Sequence, residues 1–93
     1  MTARADIAGE LQRRLAVLAP SVFELADDSA EHAGHAGAAG GGGHFSLLIV
    51  SDRFSGLPRI ARHRAVLDQV ADLIPYPMHA LVIRALAPDE FPS

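Results

Sequence analysis

Residues 45–77 read F-S-L-L-I-V-S-D-R-F-S-G-L-P-R-I-A-R-H-R-A-V-L-D-Q-V-A-D-L-I-P-Y-P, and this stretch decides the fold. It opens with a strand from Phe45 to Ser51. Phe45, Leu47 and Ile49 fall on one face, and Ser46, Leu48 and Val50 on the other. Apolar residues on both faces from Leu47 to Val50 mark a central strand. Phe54 to Pro58 is a turn, and Pro58 suits a helix start because its missing N–H would be unpaired there anyway. From Arg59 to Ile74 the pattern becomes helical. Ile60, His63, Val66, Leu67, Val70, Leu73 and Ile74 form one stripe, and Arg62, Arg64, Asp68, Gln69 and Asp72 lie mostly off it. Pro75-Tyr76-Pro77 ends that helix.

Working outward, residues 3–18 predict an amphipathic helix with Ile7, Leu11, Leu15 and Leu18 on its apolar stripe. Pro20 stops it, and Gly9 weakens its first turn by about 1 kcal/mol relative to Ala. Val22 to Asp27 predicts a short strand, with Phe23 and Leu25 on one face and Glu24 on the other. Two strands joined by a loop are most simply antiparallel. On the far side, His79 to Leu86 is a third strand, and residues 87–93 are frayed or a single turn. These elements predict one α+β domain over residues 1–93, with helices on one face of a three-stranded mixed sheet.

Between the first two strands, residues 28–44 read D-S-A-E-H-A-G-H-A-G-A-A-G-G-G-G-H, a stretch without apolar periodicity. It holds His32, His35 and His44. A structureless loop of this length is usually either functional or disordered. Imidazoles on such backbone suit metal capture, and a solvated surface loop is the plainer reading.

Composition narrows the classes. The chain has 93 residues, no cysteine and a formal net charge of −3. It therefore has no disulfide, no cysteine-type zinc site and no thiol nucleophile. No run approaches the ~20 apolar residues needed to span a bilayer. The start, M-T-A-R-A-D-I, lacks a signal-peptide core, so the expectation is a cytoplasmic protein without membrane association. The acidic balance argues against non-specific nucleic-acid binding by the whole surface. The charge is uneven, however: Arg53, Arg59, Arg62 and Arg64 make up half of the 8 basic residues.

The pieces D-D-S-A-E-H-A-G-H at 27–35, G-H-F at 43–45, V-S-D-R-F-S-G at 50–56, R-H-R at 62–64 and H-A-L at 79–81 together resemble the BolA family. The likeness runs from the first helix to about Glu90 and is nearest to short bacterial members with H-A-G-H in the loop. It implies an αββααβ fold similar to the type II KH arrangement, with a helix–turn–helix before the third strand. It also implies two activities. One is partnership with a monothiol glutaredoxin, sharing a bridging [2Fe–2S] cluster. The other is DNA binding and transcriptional control in growth and stress responses.

On this resemblance the histidine of H-A-L, His79, matches the cluster ligand. The second ligand falls on His32, with His35 as its substitute. Imidazoles on one iron with sulfur on the other is the division that Rieske centres use. Here the thiolates would come from a glutaredoxin cysteine and glutathione, so the isolated chain is expected to be a monomer without cofactor. Read without the resemblance, His79 is a half-buried histidine bonded to backbone. His32 and His35 alone do not complete a zinc site. Adding His44 makes three imidazoles, enough for adventitious zinc or nickel, although His44 more simply anchors the strand beside Phe45.

Arg53, Arg59, Arg62, His63 and Arg64 are the candidate nucleic-acid contacts, near a helix N-terminus suited to phosphate. Their plainer reading is a solvated face, with His63 a core-edge histidine. The turn Gly56-Leu57-Pro58-Arg59 departs from the KH G-x-x-G clamp, and no pair of exposed aromatics offers a stacking platform. Ser51 and Ser55 belong to no Ser–His–acid arrangement, and no nucleotide fingerprint is present, so an enzyme is not expected.

Overall fold

The computed structural model describes residues 7–28 and 43–91. Helix α1 (Ile7–Leu15) buries Ile7, Leu11 and Leu15. It tightens into a 3₁₀ turn at Ala16–Leu18. Ala19 then adopts φ 49°, a left-handed conformation, and donates its N–H to the carbonyl of Ala16. The helix thus ends on its own cap before Pro20 is reached. Its expected start at residues 3–6 lies outside the described residues.

Strands β1 (Val22–Asp27), β2 (Gly43–Val50) and β3 (Met78–Leu86) form one sheet in the order β1-β2-β3. β1 and β2 are antiparallel, with Phe23 opposite Ile49 and Asp27 opposite Phe45. β2 and β3 are parallel, with Phe45 opposite Leu81 and Val50 opposite Leu86. The mixed sheet with a central β2 is the one the sequence predicts. β2 begins earlier than expected, so His44 sits on a strand rather than in the loop. The amide of Gly43 donates to the Pro77 carbonyl at 2.9 Å, and the amide of Asp28 donates to the His44 carbonyl at 2.7 Å. Those bonds extend the pairing on both sides of β2.

A 3₁₀ turn at Asp52–Phe54 precedes helix α2 (Arg59–Val70). The first helix of the expected helix–turn–helix is therefore a single 3₁₀ turn. Gly56, at φ 80°, carries the chain around the bend where a side chain would be strained. A 3₁₀ turn at Ala71–Leu73 follows α2, and the Ile74–Pro75 and Tyr76–Pro77 bonds are both cis.

Both helices cover one sheet face. Ile7, Leu11 and Leu15 of α1 and Val66 and Val70 of α2 meet Phe45, Leu47 and Ile49 of β2, with Phe54, Leu73 and Met78 closing the core. Ser51 is fully buried at a junction. Its hydroxyl donates to the Leu18 carbonyl and accepts from the Arg53 amide at 3.1 Å. Its own amide donates to the Leu86 carbonyl at 3.0 Å. Through its hydroxyl and its amide, this one residue therefore ties the end of the first helical segment to the ends of β2 and β3.

From Val66 to Ile74 the inward stripe of α2 and the turn after it is the expected one, but the start of α2 departs from it. Arg62, placed off the stripe by its charge, is buried, whereas Ile60 and His63 are exposed. The first turn of α2 overhangs the β3 edge, so its inward position faces polar backbone rather than core. Arg62 Nε donates to the Leu57 carbonyl at 2.8 Å, and Nη1 donates to the Ala85 carbonyl at 3.2 Å. Nη1 also bonds Glu90 at 2.5 Å. That carboxylate accepts in addition from the Ala87 amide at 2.7 Å and fixes the tail as a 3₁₀ turn at Pro88–Glu90.

Candidate metal-ligand site

The helix-free sheet face carries Glu24, Ala26 and Asp28 from β1 and its end, His44, Ser46 and Leu48 from β2, and Ala80, Val82 and Arg84 from β3. This follows from side-chain alternation, since the intervening positions pack into the core. His44 lies at the end of this face where residues 29–42 leave and rejoin the sheet.

His79 reaches the same corner through a register shift. Gly43 pairs with Met78, but the next residue, His44, pairs with Ala80. His79 is thus one extra residue on β3, a bulge, and bulges re-aim side chains. Regular alternation would put His79 on the core face with Leu81. Instead Met78 is fully buried and His79 is exposed. The His79 ring lies against that of half-buried His44, with centroids 5.2 Å apart and planes tilted by 45°. Beside them, Ser46 Oγ donates to the Asp28 carboxylate.

His79 therefore stands at the sheet end, as its place in the sequence predicts. His32 and His35 lie outside the described residues. Among the described residues no group of three or more metal-ligating side chains occurs. His44 and His79 are the two brought together, and the sequence reading placed His44 in the loop. The pattern Gly43-His44-Phe45, already in step with the alternation of β2, was the signal that His44 faces away from the core.

The basic candidates separate. Arg53, in the 3₁₀ turn, and Arg59, His63 and Arg64, on α2, are exposed. Arg62 differs from them: at 9% exposure, with two backbone carbonyls and Glu90 as partners, its guanidinium is committed to the fold. The hydrogen bond to Glu90 raises the Arg62 pKa, and the same bond holds the Glu90 carboxyl below its ordinary range. Arg59 and His63 line a cleft between α2 and the β3 edge together with Arg84, which the sequence reading had not singled out.

Two helices on one face of a sheet whose central strand is antiparallel to one neighbour and parallel to the other define an α+β domain with a bare face. Residues 15–90 match the BolA-like protein family, and the chain belongs to that family. It is 42% identical over 78 residues to SufE-like protein 1, chloroplastic/mitochondrial, of Arabidopsis thaliana, covering 78% of this chain and 21% of that protein. It is 42% identical over 48 residues to the DNA-binding transcriptional regulator BolA of Vibrio cholerae, covering 52% of this chain and 45% of that one. Its fold is similar to BolA1 from Arabidopsis thaliana, with a TM-score of 0.77, 29% identity, and 99% and 100% of the two chains covered. The chain thus spans less than half the length of either of these two relatives. Among the described residues no helix is long and apolar enough to cross a membrane.

Proposed function

We propose that this chain is a BolA-type adaptor that pairs with a monothiol glutaredoxin and gives imidazole ligands to a bridging [2Fe–2S] cluster. The observation that carries this reading is the bulge. It lifts His79 out of the core-facing row and sets its ring beside that of His44. The donor chemistry fits the group: the chain has imidazoles at one corner and no cysteine. It can supply the nitrogen side of a mixed nitrogen–sulfur centre and must take the sulfur side from a partner. When bound, such a cluster supplies iron and sulfide for transfer or for sensing. His79 donates from the sheet, and a histidine of the connecting segment, His32 or His35, is the second donor implied by the family resemblance.

The test is reconstitution of the chain with a monothiol glutaredoxin, glutathione, iron and sulfide, followed by visible absorption and circular dichroism. His79→Ala is expected to abolish or reshape the mixed-complex spectrum. An unchanged spectrum in both His79→Ala and the His32→Ala/His35→Ala double variant would sink the reading.

A second reading, DNA binding, is favoured by the exposed Arg53, Arg59, His63 and Arg64 and by the likeness to the DNA-binding transcriptional regulator of Vibrio cholerae. Without Arg62, three arginines remain, so the affinity for duplex DNA should fall with salt at a slope of about two to three phosphates. A binding curve insensitive to salt, or to Arg59→Gln with Arg64→Gln, would remove this reading.

A further inference from the structure

We infer that His44 and His79 together form a two-imidazole seat for one transition-metal ion, built entirely on the sheet. The inference rests on the proposed role of His79 as a ligand and names its companion as a strand residue.

The geometry suits shared coordination. With metal–nitrogen bonds of about 2.0–2.1 Å, and a ring nitrogen about 1.1 Å from its own centroid, two imidazoles on one tetrahedral ion place their centroids about 5.0–5.3 Å apart. The His44 and His79 centroids are 5.2 Å apart. The centroid spacing is thus the one that two imidazoles on a common ion require.

The backbone holds that arrangement in advance. The His44 carbonyl accepts from the Asp28 amide on one side, and the Gly43 amide donates to the Pro77 carbonyl on the other. His44 is thus pinned between both neighbouring strands. The bulge fixes His79 opposite it, because Met78 below is fully buried and Ala80 above is paired with His44. Ligands on strands are held more closely than ligands on loops.

Chemistry limits the occupant. Neutral imidazoles suit iron, zinc, copper and nickel rather than magnesium or calcium. Two donors leave further positions for a partner's thiolate, sulfide or water. The seat is therefore half of a site and is expected to hold a free ion weakly. The exposure of His79 leaves it open to solvent or to a partner.

The chain has 5 histidines, so replacing His32, His35 and His63 by Asn leaves only this pair. The experiment is titration of that full-length triple variant with zinc ion alone, followed by imidazole nitrogen resonances, with amide spectra confirming the fold. The expected result is that both His44 and His79 nitrogens shift together, saturating at one ion per chain. His44→Asn in this background should weaken binding at least tenfold without changing the amide spectrum elsewhere. Absence of binding, or a response from His79 alone, would overturn the pair. Absence of zinc binding in the triple variant, together with a glutaredoxin complex that loses its cluster spectrum on His79→Ala, would overturn the pair and leave the cluster reading standing. Paired shifts with a cluster spectrum indifferent both to His79→Ala and to the His32→Ala/His35→Ala double variant would support the seat and overturn the cluster reading.

Discussion

Arg62 shows how a residue type can mislead. In the sequence it stands in R-H-R, beside a turn and among other arginines, as a phosphate contact would. In the fold its guanidinium is spent on Leu57, Ala85 and Glu90. Nothing local could reveal this, because the decisive partner lies 28 residues away. Arg62→Ala would strip those two carbonyls of a donor and free the tail, so the thermal midpoint should fall by roughly 5–10 °C, measurable by circular dichroism. Ser51 makes a comparable point. A serine in V-S-D-R-F invites a chemical role, yet its buried hydroxyl is committed to Leu18 and Arg53. Ser51→Ala leaves the partly buried Leu18 carbonyl without this donor and should cost about 1 kcal/mol or more in denaturant unfolding.

At the scale of elements, the sheet was legible because β2 is unambiguous. An apolar run between glycines and a turn admits little else, and its neighbours follow from connection rules. The inward side of the start of α2 was not legible, although Val66, Val70 and Leu73 face the core as the periodicity predicts. Periodicity assumes that every inward position meets apolar surface, and the first turn of α2 meets the edge of β3 instead. The bulge at His79 was equally invisible, since M-H-A-L-V-I alternates the same way with or without a slipped residue. Only the pairing of Gly43 with Met78 and of His44 with Ala80 exposes it. The end of the first helical segment offers a direct test. Ala19 holds a left-handed conformation that glycine adopts without the steric cost of a Cβ. Ala19→Gly should therefore leave stability unchanged or raise it by up to about 1 kcal/mol, whereas helix-interior glycines lower it.

For the whole molecule, two ion-pair clusters join parts distant in sequence. Arg14 bonds Glu10 at 2.7 Å and Asp72 at 2.5 Å, linking α1 to the segment after α2, while Arg62 and Glu90 link α2 to the tail. Hydrogen bonds from these arginines hold the carboxyls of Glu10, Asp72 and Glu90 below their ordinary range. A depressed carboxyl stabilises the fold above its unfolded pKa and loses that contribution as pH falls through its folded value. The thermal midpoint should therefore be flat near neutrality and decline below about pH 4.5. Arg14→Gln combined with Glu90→Gln should flatten that acid limb, and salt should blunt it in the parent chain. The bulge has a further meaning at this scale. From Ala80 onward, β3 keeps the same partners and the same inward side chains whether or not position 79 contributes anything to packing. The fold thus treats that position as spare. His79→Ala should change stability by no more than about 0.5 kcal/mol. Selection for what the ring binds can then act at position 79 with little regard to what keeps the chain folded, and the two properties can drift or be engineered separately.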